Sequence, residues 1–303
     1  MKHVLFSMDC ELAWGLAHRD PPVERVELMR ADPSHVRDAY RTLVNLYDTY
    51  DVPATWAFVG HLFYNSCGPS DHIDGPNISR SDPFSARRAE PLYYGDDLID
   101  RVLEADVNHD IGGHAFSHVE FTEIDESVAR AELGAMVDAA ADRGVEIDSF
   151  VYPMNSVAHE HLLPEYRIEV YREATVGKNY ILRRGLKPFL TRNQKFWSVP
   201  PVIPRLNEEG LVTVDSSRLL HEERFCYLHP SRLRRTFDQM NDGEIAHFAF
   251  HPHDLLNYYR LDRVLERVLK VVAEYVGRGE VEPLTMADLP DLLSRQSVSS
   301  DTD

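Results

Sequence analysis

His3-Val4-Leu5-Phe6-Ser7-Met8-Asp9-Cys10-Glu11 opens the chain as an apolar, strand-like run that leads straight into two carboxylates. Successive side chains of a strand turn to opposite faces, so Ser7, Asp9 and Glu11 share one side while Met8 and Cys10 share the other. The two carboxylates stand roughly 6.6 Å apart along such a strand, which lets one bind a metal while the other reaches the metal's water. Cys10 is the nearest soft ligand, but the same alternation sends it to the packed face as a small buried hydrophobe. The elements beyond this run decide the class of fold. Asp32-Pro33 reads as an N-cap with Pro at the first helical position, and Val36, Tyr40, Leu43, Val44 and Leu46 keep near-helical period through Tyr50. Ala54 to Val59 is a second strand, stopped by Gly60.

The alternation continues. A helix is expected over 96–105, a strand over 109–113, and a long helix capped by Asp125 and ending at Gly144. Further strands are expected at 150–152, 167–171, 211–214 and 244–250. Helices are expected at 157–165, after His229-Pro230, and at 261–276. Strands and helices in turn over the whole chain imply a parallel α/β sheet, open or closed. No stretch rich in Pro, Gly or Ser divides two cores, so residues 1–292 read as one domain, followed by a polar tail at 293–303. The segment 65–90, with many Pro, Ser and Asp and no periodicity, reads as a loop over the site or as plain disorder.

Groups that can do chemistry gather just after the strands, where parallel α/β folds place their active sites. Asp9 and Glu11 are the first. His114 and His118 follow the strand at 109–113 and its Gly pair; four residues apart on a helical turn, they can hold one Zn²⁺ together. Unlike the H-E-x-x-H of zinc proteases, this pair encloses no Glu, so the base has to come from elsewhere, and Asp9 is the candidate. Tyr152-Pro153-Met154-Asn155 ends another strand, and its backbone N–H groups could face a substrate carbonyl. In Ile245 to Asp254, His247 and His251 share a face. His251, stopped by Pro252, suits a general acid, with His253 and Asp254 beside it to orient it. A metal water, a base, two His ligands and a separate acid make a hydrolytic set. A Gly-rich phosphate loop and a G-x-S-x-G elbow are both missing, which argues against phosphoryl transfer and a serine nucleophile.

Composition sets limits on partners. The 303 residues carry 50 Asp and Glu against 32 Lys and Arg, a net charge of −18, and only five of those cations are Lys. Such a surface argues against nucleic acid or an anionic membrane, and its hydrated carboxylates fit a high-salt, halophilic setting. No run approaches the roughly 18 apolar residues of a membrane helix, and no standard export signal opens the chain, so a cytoplasmic protein is expected. Three cysteines without paired spacing argue against a disulfide framework or a Cys-x-x-Cys zinc site. The oligomeric state is not fixed by the sequence.

In order and wording the motifs resemble the polysaccharide deacetylases, the carbohydrate esterase family 4 or NodB-homology group. Ser7 to Glu11 resembles its first motif, Val52 to Gly60 its second strand, and His114 to His118 its metal motif. Tyr152 to Asn155 and Phe250 to His253 are similar to the later ones, so about residues 1–290 are covered. The resemblance implies a distorted (β/α)7 barrel, a divalent metal, usually zinc, and hydrolysis of an N-acetyl or similar amide on a saccharide. It makes Asp9 the base, His114 and His118 metal ligands with Glu11 as the third, and His251 the general acid. Two departures stand out. Cys10 occupies the place of the usual second Asp. The Arg that orients the base in the third motif is absent, with Val151 and Met154 at its candidate positions. Trp197 and Asp215 are candidates for a fourth motif. The alternatives are an allantoinase-like hydrolase of small cyclic amides and a non-catalytic saccharide-binding descendant, the latter motivated by the missing Arg.

Overall fold

Strand β1 (Lys2–Cys10) is buried almost end to end, as an apolar run enclosed on both faces must be. The computed structural model describes residues 1–15, 32–67, 91–175, 200–216, 218–219, 230–257 and 261–300. After β1 come α1 (Pro33–Tyr50), β2 (Thr55–Phe58), α2 (Asp96–Leu103), β3 (Asp110–Gly113), α3 (Glu126–Ala141), β4 (Ser149–Val151) and β5 (Val170–Thr175). They are followed by β6 (Arg205–Leu206), β7 (Val212–Ser216), β8 (Arg218–Leu219), α4 (Pro230–Gln239), β9 (Ile245–Phe250), α5 (Asp254–Asn257), α6 (Leu261–Val276), β10 (Val281–Leu284) and α7 (Leu289–Ser300). The caps act as the sequence suggests. The Asp32 carboxylate accepts from the His35 N–H at 3.2 Å, and Asp125 accepts from Val128 at 3.0 Å.

The sheet runs β6-β7-β5-β4-β3-β2-β1-β9-β8, with β10 beside β1. Among these strands all pairings are parallel except that of β6 with β7, and outside them Val202 forms an isolated antiparallel bridge with Ile245. β7 lies against β5 and β8, just beyond it in the chain, lies against β9. One stretch of chain therefore meets both edges, and the sheet curls into a distorted barrel of seven parallel positions: β1, β2, β3, β4, β5, β7 with β8, and β9. The distortion shows in β1, whose first half pairs with β10 and whose second half pairs with β2.

Alternation along the strands separates two cores. Phe6, Met8, Cys10, Trp56, Phe58 and Phe248 pack outward under the helices, while Leu5, Ala57, Val151, Val170 and Val214 fill the barrel interior. Met286 and Leu289 close the floor. There the Asp110 carboxylate accepts from the Thr55 and Ser149 hydroxyls, each at 2.8 Å, and Thr55 Oγ1 in turn accepts from the Met286 N–H. Burial pushes the Asp110 pKa up to about 6.

Three local expectations give way. Residues Glu160–Tyr166 form a 3₁₀ segment containing Pro164 rather than an α-helix over 157–165, since proline removes a helical donor. The strand expected at 167–171 begins at Val170, because Arg167 adopts a left-handed conformation after that segment, and it continues to Thr175. α7 runs on to Ser300, across the boundary set at residue 292. No helix among the described residues is long and apolar enough to cross a membrane.

Candidate active site

Asp9 and Glu11 stand at the C-terminal end of β1, as strand alternation requires. Across the barrel, Arg172 of β5 grips Asp9 with a two-pronged pair, Nη1 to Oδ1 and Nη2 to Oδ2, both at 2.6 Å. Arg172 is 1% exposed, so the pair is made in low dielectric, where a fork geometry is strongest. Burial alone would raise the Asp9 carboxyl; the guanidinium outweighs it and holds the pKa at about 2. Sequence reading missed Arg172. The signal was present in Val170-Tyr171-Arg172, where an inward alternation places a cation in an otherwise apolar barrel, but the expected strand stopped one residue short.

Glu11 Oε2 lies 2.8 Å from His118 Nε2 and 3.7 Å from His114 Nε2. All three ligand atoms fall within 4.8 Å of one another and are buried. Tetrahedral ligands held about 2.0–2.1 Å from Zn²⁺ would be roughly 3.3 Å apart, so the donor set fits such an ion. His114 Nδ1 donates to the Val151 carbonyl at 2.6 Å, which leaves the Nε2 lone pair for a metal. Burial lowers the His114 pKa, which also suits a neutral ligand. Cys10 packs outward, with Sγ 3.7 Å from the Met8 carbonyl, and takes no part in this cluster.

The two histidines do not lie on a helical turn. Ala115 and His118 both have positive φ, 58° and 59°, and residues 114–118 form a tight loop instead. Glu132 of α3 sets its shape. This wholly buried carboxylate accepts from the Phe116 and Ser117 N–H groups at 2.9 and 2.8 Å and from the Ser117 hydroxyl at 2.5 Å. The Gly60 N–H fastens the loop from the other side by donating to the Ala115 carbonyl at 2.7 Å. The imidazoles end 4.9 Å apart, centroid to centroid.

His251, just beyond β9, points Nε2 at both carboxylates, 3.6 Å from Glu11 Oε1 and 3.9 Å from Asp9 Oδ2. Its Nδ1 faces Asp254 Oδ2 at 3.3 Å, and His253 stacks on its ring at 4.8 Å. Burial opposes protonation of His251, yet Glu11, Asp254 and Asp9 together raise its pKa to about 10. Met154 and Asn155 sit exposed at the rim in consecutive left-handed conformations, φ 56° and 54°. Such strain in non-glycine residues is typical of functional turns. The Asn155 N–H donates to the Tyr152 carbonyl at 3.0 Å and so is committed to the turn.

Other candidates lie elsewhere. The aromatic residues Phe63, Tyr93 and Tyr94, which flank the 65–90 segment, are buried against the barrel. Trp197 and most of the 65–90 segment fall outside the described residues. The Asp215 carboxylate faces Arg205 at 3.3 Å rather than the site.

No protein-family model matches the chain, and no curated protein matches it. Solved structures do. A candidate polysaccharide deacetylase from Mycobacterium smegmatis superposes with TM-score 0.57 at 15% identity, over 98% of this chain and 91% of that one. A peptidoglycan deacetylase from Bacillus subtilis gives 0.47 at 12%, over 99% and 95%. A family 4 carbohydrate esterase from Streptomyces lividans, solved with acetate, gives 0.43 at 10%, over 92% and 90%. The first of these likenesses shows the fold, the distorted NodB-type barrel that the strand order describes.

Proposed function

We propose that this chain is a metal-dependent hydrolase that removes an N-acetyl or similar amide-linked group from a saccharide. The observation that carries the reading is convergence. An arginine-held carboxylate (Asp9), a Glu-His-His donor set (Glu11, His114, His118) and a carboxylate-backed histidine (His251) meet at the C-terminal ends of β1, β3 and β9.

Zn²⁺ is the ion best suited to this set and, when bound, supplies Lewis acidity that brings the pKa of water down towards about 7. Asp9, kept ionised by Arg172, accepts the proton of the attacking water. Its carboxylate is already aligned by two hydrogen bonds, so little reorganisation accompanies the transfer. Because Asn155 spends its N–H on the turn, Met154 is the amide assigned to the developing oxyanion, a contribution worth about 3 kcal/mol where single donors have been removed. His251, protonated and held by Asp254, delivers a proton to the departing nitrogen.

The non-catalytic alternative was motivated by a missing arginine, and Arg172 removes that motive. A neutral saccharide suits a chain of charge −18 better than a polyanion does. Zn²⁺ as the ion and a cytoplasmic, saline setting complete the proposal. The test is to incubate the zinc-loaded protein with N-acetylated mono- and oligosaccharides and with cyclic ureides, following acetate release and ring opening. Acetate release from a saccharide supports the reading. Ring opening without acetate release would transfer the site to cyclic amides, and saccharide binding without turnover would make the chain a binding protein.

A further inference from the structure

The His251 ring stands between two donor sets. Its Nε2 faces Glu11 Oε1 at 3.6 Å, and its Nδ1 faces Asp254 Oδ2 at 3.3 Å. His253 lies against the same ring, with centroids 4.8 Å apart and planes only 24° from parallel. His251, His253 and Asp254 each offer one ligand atom, and the three lie within 4.8 Å of one another, the same limit that encloses the Glu11, His114 and His118 set. Local sequence explains the grouping. Pro252 separates the two histidines and fixes a backbone torsion between them, while the Asp254 carboxylate turns back to accept from the His251 N–H at 3.0 Å. Asp254 is wholly buried and His253 is 2% exposed, whereas the His251 side chain is 23% exposed. Two buried ligands therefore accompany a third that solvent reaches.

Two imidazoles and a carboxylate repeat the donor chemistry of the first set. Imidazole nitrogens favour Zn²⁺ over Mg²⁺ or Ca²⁺, which take oxygen ligands. A net charge of −18 also draws divalent cations towards the protein. What a cation here would do follows from the two nitrogens of the ring. As a general acid, His251 must be an imidazolium, with hydrogen on both Nδ1 and Nε2. With Zn²⁺ at Nδ1, the electron pair that held the Nδ1 proton is engaged and that proton passes to solvent. The ring is left as a neutral imidazole with its hydrogen on Nε2, too weak an acid to protonate a departing nitrogen near neutral pH.

We propose that His251, His253 and Asp254 form a second, inhibitory Zn²⁺ site, which fills after the Glu11, His114 and His118 set and takes the general acid out of the reaction. The inhibitory effect rests on the reading of His251 as that acid; binding of the ion does not. The second site is the weaker one, because its third ligand is partly solvated and gives up a proton on binding. The enzyme is then most active with one ion per chain and is suppressed where zinc is plentiful, with no separate regulatory domain.

The experiment titrates metal-stripped wild type, His253→Phe and His118→Ala with Zn²⁺, following bound zinc by equilibrium dialysis and acetate release in parallel. Wild type should bind two ions per chain. Its rate should rise to the first equivalent and fall about 100-fold as the second fills, the scale of general acid catalysis. His253→Phe keeps a ring against His251 but offers no ligand, so it should bind one ion, and its rate should not fall in excess zinc. His118→Ala should lose the tighter ion and keep the weaker. A wild type that binds a single ion, or a second ion that His253→Phe retains in full, would overturn the proposal. A rate that goes on rising as the second ion binds would overturn its inhibitory role. Should His253→Phe fail to fold, wild-type crystals soaked in excess zinc decide the matter. An anomalous peak among His251, His253 and Asp254 supports the site, and its lack when the first site is full refutes it. Two bound ions in a protein inert on every substrate would uphold the second site and count against the proposed function instead.

Discussion

Gly15 lies so close to Glu11 that a methyl group at its Cα would overlap all three atoms of the Glu11 carboxylate. The turn after β1 therefore brings bare backbone against the proposed metal ligand, and this lack of a side chain keeps the carboxylate aimed at His114 and His118. Gly15→Ala should displace Glu11 and weaken zinc binding at least about tenfold, a coupling of about 1.4 kcal/mol, without unfolding the barrel. Competition with a zinc chelator, alongside circular dichroism, reads both quantities. Unaltered affinity would show that Glu11 does not hold the metal.

Glu132 supports the opposite side of the same cluster. Replacing it with Ala leaves two buried N–H groups and the Ser117 hydroxyl without their acceptor. Each such group costs about 1–3 kcal/mol, so a loss of about 3 kcal/mol or more in unfolding free energy is expected, with weaker zinc binding as the His114–His118 loop relaxes. Glu132→Gln retains one carboxamide oxygen and should lose less. Urea unfolding of the three proteins at fixed pH and zinc checks the order.

Cys10 bears on the identity of the third ligand. Its sulfur faces the outer core, so Cys10→Ala should bind zinc with wild-type stoichiometry and lose only packing energy, whereas Glu11→Ala should lose the ion. Zinc analysis of the two purified variants distinguishes them. Zinc lost from the Cys10 variant and retained by the Glu11 variant would reverse the assignment.

Asp110, at the floor of the barrel, gives stability a pH dependence of definite sign. Its folded pKa, about 6, lies above the ordinary carboxyl value of 3.8, so the folded state binds the extra proton. The resulting stabilisation is fully present below about pH 3.8 and is lost as pH rises through about 6. Asp110→Asn, which cannot ionise, should flatten the part of the stability curve between those two values. Chemical denaturation at several pH values tests this, and an unchanged slope would show that Asp110 ionises freely in the fold.

Much of this arrangement is legible in the sequence, because it depends on local rules. Two-residue alternation places Asp9 and Glu11 together and turns Cys10 away, and Asp32-Pro33 and Asp125 mark helix starts that the structure keeps. Features set by distant contacts are not legible. The Asp9 partner lies 163 residues along the chain. The left-handed turn at Ala115 and His118 exists because Glu132, on a later helix, satisfies its amides, so a helical reading of four-residue spacing could not foresee it. β10, which contains Pro283, pairs only with the first half of β1, so its sequence carries little strand signal of its own.

The most direct test of the central claim is metal-dependent acetate release. Wild-type protein stripped of metal should release no acetate from an N-acetylated oligosaccharide, should gain activity in proportion to added Zn²⁺ up to one ion per chain, and should outpace zinc-treated His118→Ala by at least about 100-fold. Equal rates for wild type and His118→Ala, or full activity in the stripped protein, would contradict the account.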